Sequence, residues 1–169
     1  QPHIPTEAFL LWDEEYFYLA VKCYEPRMDS IKISKTKRES SVWEDDVVEI
    51  FIDPVPGNLE YFHLAVNPIG TLYDKINNNP RKSNEWDSKA KVSSSITSDF
   101  WLIEMAIPLF SIDAEPKVGS EWKFNLHRKE QRREEYTYWS PTYDKNYSWP
   151  HVPERFGILR LTVHSSEEE

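Results

Sequence analysis

Cysteine is nearly absent: Cys23 is the one copy among 169 residues. A lone thiol forms no intrachain disulfide and no cysteine-ligated zinc site. Glycine is also scarce, with four copies against twelve prolines, which argues against a glycine-looped nucleotide fold and for short segments cut by turns. Basic residues are in deficit, 20 Lys and Arg against 29 Asp and Glu, and a formal charge of −9 excludes a nucleic-acid footprint. No apolar run approaches the roughly 20 residues that span a bilayer, so membrane insertion is not expected. No signal peptide is read ahead of Gln1.

Aromatic residues, by contrast, are abundant. Seven Trp, nine Tyr and eight Phe make 14% of the chain, and so many rings need a core or a ligand, so a folded domain is expected despite 29% charge. The dominant pattern is alternation. Phe17, Leu19, Val21 and Cys23 share one face; Val48, Ile50 and Ile52 share another, with Glu49, Phe51 and Asp53 opposite. Trp101, Ile103, Met105 and Ile107 repeat it, as do Trp122, Phe124 and Leu126, and these β-branched and aromatic runs suit a pleated, half-buried surface.

The spacing predicts strands over Asp46–Asp53, Phe100–Ile107, Trp122–Arg128 and Phe156–Val163. Turn chemistry falls at Trp12–Tyr16, Asp53–Asn58 and Asn67–Gly70, with a polar loop over Asn77–Ser88 and one helical turn at Pro108–Ile112. Lys129–Tyr136 alone has helical periodicity, and it is too charged for a core. About eight to ten strands imply an all-β antiparallel β-sandwich of jelly-roll or immunoglobulin-like type, one domain over residues 1–164, with 165–169 as an acidic tail.

Two constellations carry chemistry. Trp43 stands just before a strand on which Glu49 alternates out of the apolar face, and Asn146 and Trp149 lie in a polar loop before the last strand. Taken alone, Trp43 and Glu49 read first as a rim tryptophan packed on a loop and a strand acid facing solvent. Asn125 and Arg128 alternate with the apolar positions of the Trp122 strand and could reach a binding surface, although a structural ion pair is the commoner use of such an arginine. Asp45 and Asp46, with Asp53 and Glu60, offer hard oxygen ligands. The five histidines have neither HxxxH nor HExxH spacing, so zinc is not expected.

The runs Trp43–Asp53 (WEDDVVEIFID), Asn67–Gly70, Phe100–Pro108, Trp122–Arg128, Trp139–Pro141 and Phe156–Leu161 occur in the order seen in family 9 carbohydrate-binding modules, which the chain resembles over residues 8–163. The resemblance implies non-catalytic binding of a plant-type polysaccharide or oligosaccharide, with chain ends among the candidate targets, in a slot between Trp43 and Trp149. Glu49 and Asn146 would be its polar partners. It also implies a structural calcium ion, a partnership with a glycoside hydrolase in polysaccharide degradation, and an extracellular or periplasmic bacterial setting. The family's binding arginine would stand on the strand that here reads His63–Asn67, which has none. The family opens with one further strand ahead of the segment matching Ala8–Trp12; the expectation is that this strand is missing here, or that Gln1–Thr6 partly replaces it.

Other classes remain open at this point. A glycoside hydrolase needs two carboxylates roughly 5–10 Å apart across a cleft, for which Glu49 and Glu104 qualify by type. A haem-binding electron-transfer domain would draw on Met28 or Met105. A sandwich that binds no sugar is the bland alternative.

Overall fold

The computed structural model describes residues 4–57, 60–79, 85–142 and 149–163. Among these residues ten antiparallel strands form two sheets. The first runs β1-β2-β7-β6, from β1 (Thr6–Trp12), β2 (Tyr16–Tyr24), β6 (Lys91–Ile96) and β7 (Phe100–Pro108). The second runs β10-β8-β3-β4-β5, from β3 (Val47–Asp53), β4 (Tyr61–Val66), β5 (Leu72–Asn77), β8 (Glu121–Glu130) and β10 (Gly157–Arg160). The short β9 (Glu135–Tyr138) pairs with β8 on the same side as β10. Among the described residues the only helical elements are four 3-10 turns, one of them Leu109–Ile112.

The turns follow from their side chains. Asp13 Oδ1 accepts the Glu15 and Tyr16 amides at 2.8 and 2.7 Å, which closes the β1–β2 hairpin as an Asx turn. Asn67 Oδ1 accepts the Thr71 amide at 2.9 Å, and Gly70 at φ +80° supplies the left-handed residue that the β4–β5 turn requires.

Alternation decides the core. Phe17, Leu19, Val21 and Cys23 of β2 meet Val48, Ile50 and Ile52 of β3, with Ile103 and Met105 of β7 and Phe124 of β8 in the same cluster. Trp122 packs on Phe17 with ring centroids 5.3 Å apart. Burial pushes the Cys23 thiol up to about 12, so the thiolate is strongly disfavoured.

Two sequence expectations need correction. Lys129–Tyr136 is a hairpin and not a helix: β8 pairs Lys129 with Tyr136, and Glu134 turns the chain at φ +53°. No apolar stripe was available to bury a helix there, whereas cross-strand pairing satisfies the backbone. The last strand is also shorter than Phe156–Val163. β8 begins at Glu121, the partner of Arg160, and beyond that pair Leu161 bonds only to the Gly119 and Ser120 backbone of the preceding turn.

Candidate functional site

Outward-facing residues of β3, β4, β5 and β8 form the floor of a cavity of about 660 Å³ on the outer face of the larger sheet. Both tryptophans line it. Trp43 sits on a 3-10 turn, Val42–Glu44, anchored by buried Val42. Its carbonyl accepts from Lys129 Nζ at 3.0 Å and from Gln131 Nε2 at 2.9 Å, and its ring stands edge-on to Tyr73 with centroids 5.0 Å apart. Trp149 enters from the segment before β10 and lies 5.0 Å from the His151 ring. The two indoles are 40% and 51% exposed, as a ring that stacks on a ligand must be.

Glu49 contributes to the floor, yet it is only 5% exposed. Oε1 pairs with His127 Nδ1 and Oε2 with His63 Nε2, both at 2.8 Å. Burial alone would raise its pKa. The hydrogen bonds from His127 and His63 outweigh that and hold the carboxyl well below the usual range. His63 in turn stacks on Phe51 with centroids 4.7 Å apart, and His127 stacks on Tyr138 at 4.5 Å. His151 completes the group: its Nδ1 is 2.8 Å from Tyr61 Oη. Burial first, then the nearby His63, pushes its pKa down to about 4.

The structure thus brings Trp43, Trp149 and Glu49, singled out in the sequence, to one cavity, together with three histidines that the sequence reading missed. Their signal was strand register. β3 pairs Glu49 directly with His127 and places His63 opposite Phe51, so residues far apart in sequence become neighbours. Asn146 lies outside the described residues.

The remaining expected ligands serve other ends. Arg128 is buried between the sheets, where it donates to Pro5 O, Thr6 Oγ1 and Tyr24 O at 3.1, 3.1 and 2.7 Å, so it ties β8 to β1 and β2 instead of facing sugar. Asn125, three positions away, falls on the opposite face of β8 as alternation demands, but it too is sealed off. Its amide donates to Ser140 O at 2.9 Å and accepts the Ser140 and Leu126 amides, which fastens the chain leaving β9.

Asp45 does not fit a calcium ligand. Its carboxylate accepts from Ser34 N and Oγ, Lys35 N and Asn67 Nδ2, which leaves little lone-pair capacity for a cation and makes it the clasp of the 32–46 loop. Asp46 takes the Lys32 amide on Oδ2 at 2.7 Å, while Oδ1 is buried without a hydrogen-bond partner. Burial, with Glu130 nearby, raises its pKa. The Gln131 amide favours the carboxylate without reaching hydrogen-bond geometry at Oδ1.

Nor does the geometry suit the other classes. Glu104 is exposed on β7 in the other sheet, so it shares no cleft with Glu49. Met105 is core, and neither methionine lines the cavity.

Comparison with known proteins agrees with this geometry. The family described as carbohydrate family 9 binding domain-like matches residues 2–163. Endo-1,4-beta-xylanase A of Thermotoga maritima is 28% identical over 155 residues, which cover 90% of this chain and only 13% of that xylanase. A solved structure from Bacteroides uniformis superposes with a TM-score of 0.76 at 23% identity, covering 93% of this chain and 78% of that one. A family 9 module from Caldicellulosiruptor kristjanssonii in complex with cellotriose superposes at 0.66 and 16% identity, covering 98% and 79%.

Proposed function

The chain belongs to the carbohydrate family 9 binding domain-like family, whose members are non-catalytic binding modules, and on that premise we propose that its cavity holds the end of a plant-type polysaccharide or oligosaccharide between Trp43 and Trp149. The observation that carries this reading is the pair of exposed indoles lining one cavity over a polar floor. The C–H faces of a pyranose are apolar and lie flat on indole, while hydroxyls find donors and acceptors around the rim. The cellotriose held by the Caldicellulosiruptor module supports a glucan among the candidate ligands.

Shielding roughly 100 Å² of apolar area at about 25 cal/mol per Å² contributes about 2.5 kcal/mol. Each polar contact adds on the order of 1 kcal/mol net. Ordering costs oppose these gains, so the dissociation constant falls between roughly 10 μM and a few mM. Because Glu49 is engaged by two histidines, its role is to position them more than to contact sugar. Glu49→Gln therefore weakens binding by less than loss of a ring.

Calorimetry with gluco-, xylo- and manno-oligosaccharides tests this. Trp43→Ala and Trp149→Ala should each abolish detectable binding with the thermal midpoint unchanged. A wild-type protein that binds none of the three series would leave a sandwich that binds no sugar. Service to a glycoside hydrolase, in an extracellular or periplasmic bacterial setting, belongs to the same proposal, supported by the match to a small part of a xylanase. Calcium enters it only through Asp46, and EDTA lowering the thermal midpoint of wild type but not of Asp46→Asn would support that.

A further inference from the structure

Beneath the two indoles lies a donor set that sugar recognition does not call for. Glu49, His63 and His151 each offer one ligand atom, and these atoms lie within 4.8 Å of one another. We propose that Glu49, His63 and His151 bind a divalent transition-metal ion of the zinc class, with its open coordination position toward the cavity between Trp43 and Trp149. Two imidazoles and one carboxylate are the donors such ions prefer, whereas calcium and magnesium take all-oxygen shells. A central ion about 2.0–2.1 Å from each nitrogen needs only small side-chain rotations to draw these atoms together.

The surroundings are those of a supported metal site. Tyr61 Oη, 2.8 Å from His151 Nδ1, fixes the ring so that Nε2 is the ligating nitrogen. His127 Nδ1 holds the other oxygen of Glu49, at 2.8 Å, and its own Nε2 is buried without a hydrogen-bond partner. Phe51 stacks flat on His63, at an interplanar angle of 4°, and sets the plane of that ligand. Glu49, His63 and His127 are all nearly inaccessible, so the metal is reached only from the cavity side. Ion binding replaces the proton between His63 and Glu49, which leaves to solvent.

The site shares the cavity with the proposed sugar but does not depend on it. The test is calorimetry of chelator-stripped protein with zinc chloride, alongside cobalt(II) as a spectroscopic probe. We expect one ion per chain with micromolar affinity or better, and visible cobalt absorption from a nitrogen and oxygen shell. His151→Gln should weaken zinc binding about tenfold or more and remove the cobalt bands. Glu104→Gln, on the exposed face of β7 in the other sheet, should bind as wild type. Zinc binding that survives His151→Gln, or is lost in Glu104→Gln, overturns the proposal, as does no binding by wild type. Titrating an oligosaccharide with and without zinc keeps the two readings apart: sugar bound without any zinc binding sinks the metal site alone, and zinc bound without sugar sinks the carbohydrate reading alone.

Discussion

The outer faces of the two sheets are built from the same alternating pattern and end in opposite conditions. On the smaller sheet Tyr16, Tyr18 and Lys22 of β2 are half-buried, and Phe9 on β1 is 60% exposed. On the larger sheet Glu49, Phe51, Tyr61, His63 and His127 are all buried, although they too point away from the core. The difference is cover. Phe156 packs on Phe51 and Tyr61, and His151 stands edge-on to Phe51 with centroids 5.1 Å apart, so the segment before β10 roofs one sheet, while among the described residues the outer face of the other is left more open. Alternation thus tells which side chains leave the core; whether they reach solvent depends on a loop that returns over them.

That contrast can be broken most forcefully at Phe51. Phe51→Ala should cost about 3–5 kcal/mol, since it empties the contact between the sheet and its roof. Denaturant unfolding reads this directly, and a loss below about 1 kcal/mol would mean that the roof is not packed.

Acid should act next. His151 is held neutral in the fold, with its pKa near 4, while the unfolded chain takes up a proton at its ordinary value of 6.5. The unfolded state binds more protons across this window, so stability is intact above pH 6.5 and falls by up to about 3 kcal/mol as pH drops toward 4. Tyr61, His63, Glu49, His127 and Lys75 are charged or titratable groups that face it. Glu49, with its depressed pKa, adds a loss of the same sign that begins only below its ordinary value of 4.5. Comparing unfolding midpoints at pH 7 and pH 5 in wild type and His151→Gln isolates the histidine; equal slopes in the two proteins would refute its share.

The smallest effect belongs to the open face. Phe9→Ser should change stability by no more than about 0.5 kcal/mol. A cost comparable to that of Phe51→Ala would show that the smaller sheet is covered as well.

Strand parity made much of this legible. Val48, Ile50, Ile52, Ile103, Met105 and Phe124 were all assigned inward from alternation, and all are core. The same rule, applied loosely, put Asn125 and Arg128 together, though an odd separation sends them to opposite faces of β8. Trp43, Trp149 and Glu49 were legible through motif order. The histidines were not, because the spacings sought for metal ligands belong to helices. In a sheet the equivalent neighbours come from adjacent strands, and register is set by pairings between distant segments that local sequence does not encode.

The two short partners of β8 have one more consequence. The chain leaves β8's edge where the Trp139 amide bonds to Leu126 O, and it returns where Gly157 pairs with Phe124, its α-carbon pressed so close to the Trp139 ring that a side chain there would collide. Both feet of the excursion therefore stand almost side by side on one rigid strand. Trp149 and His151 are thus held from both ends by the same strand that carries His127, so one wall of the cavity and part of its floor share a single support.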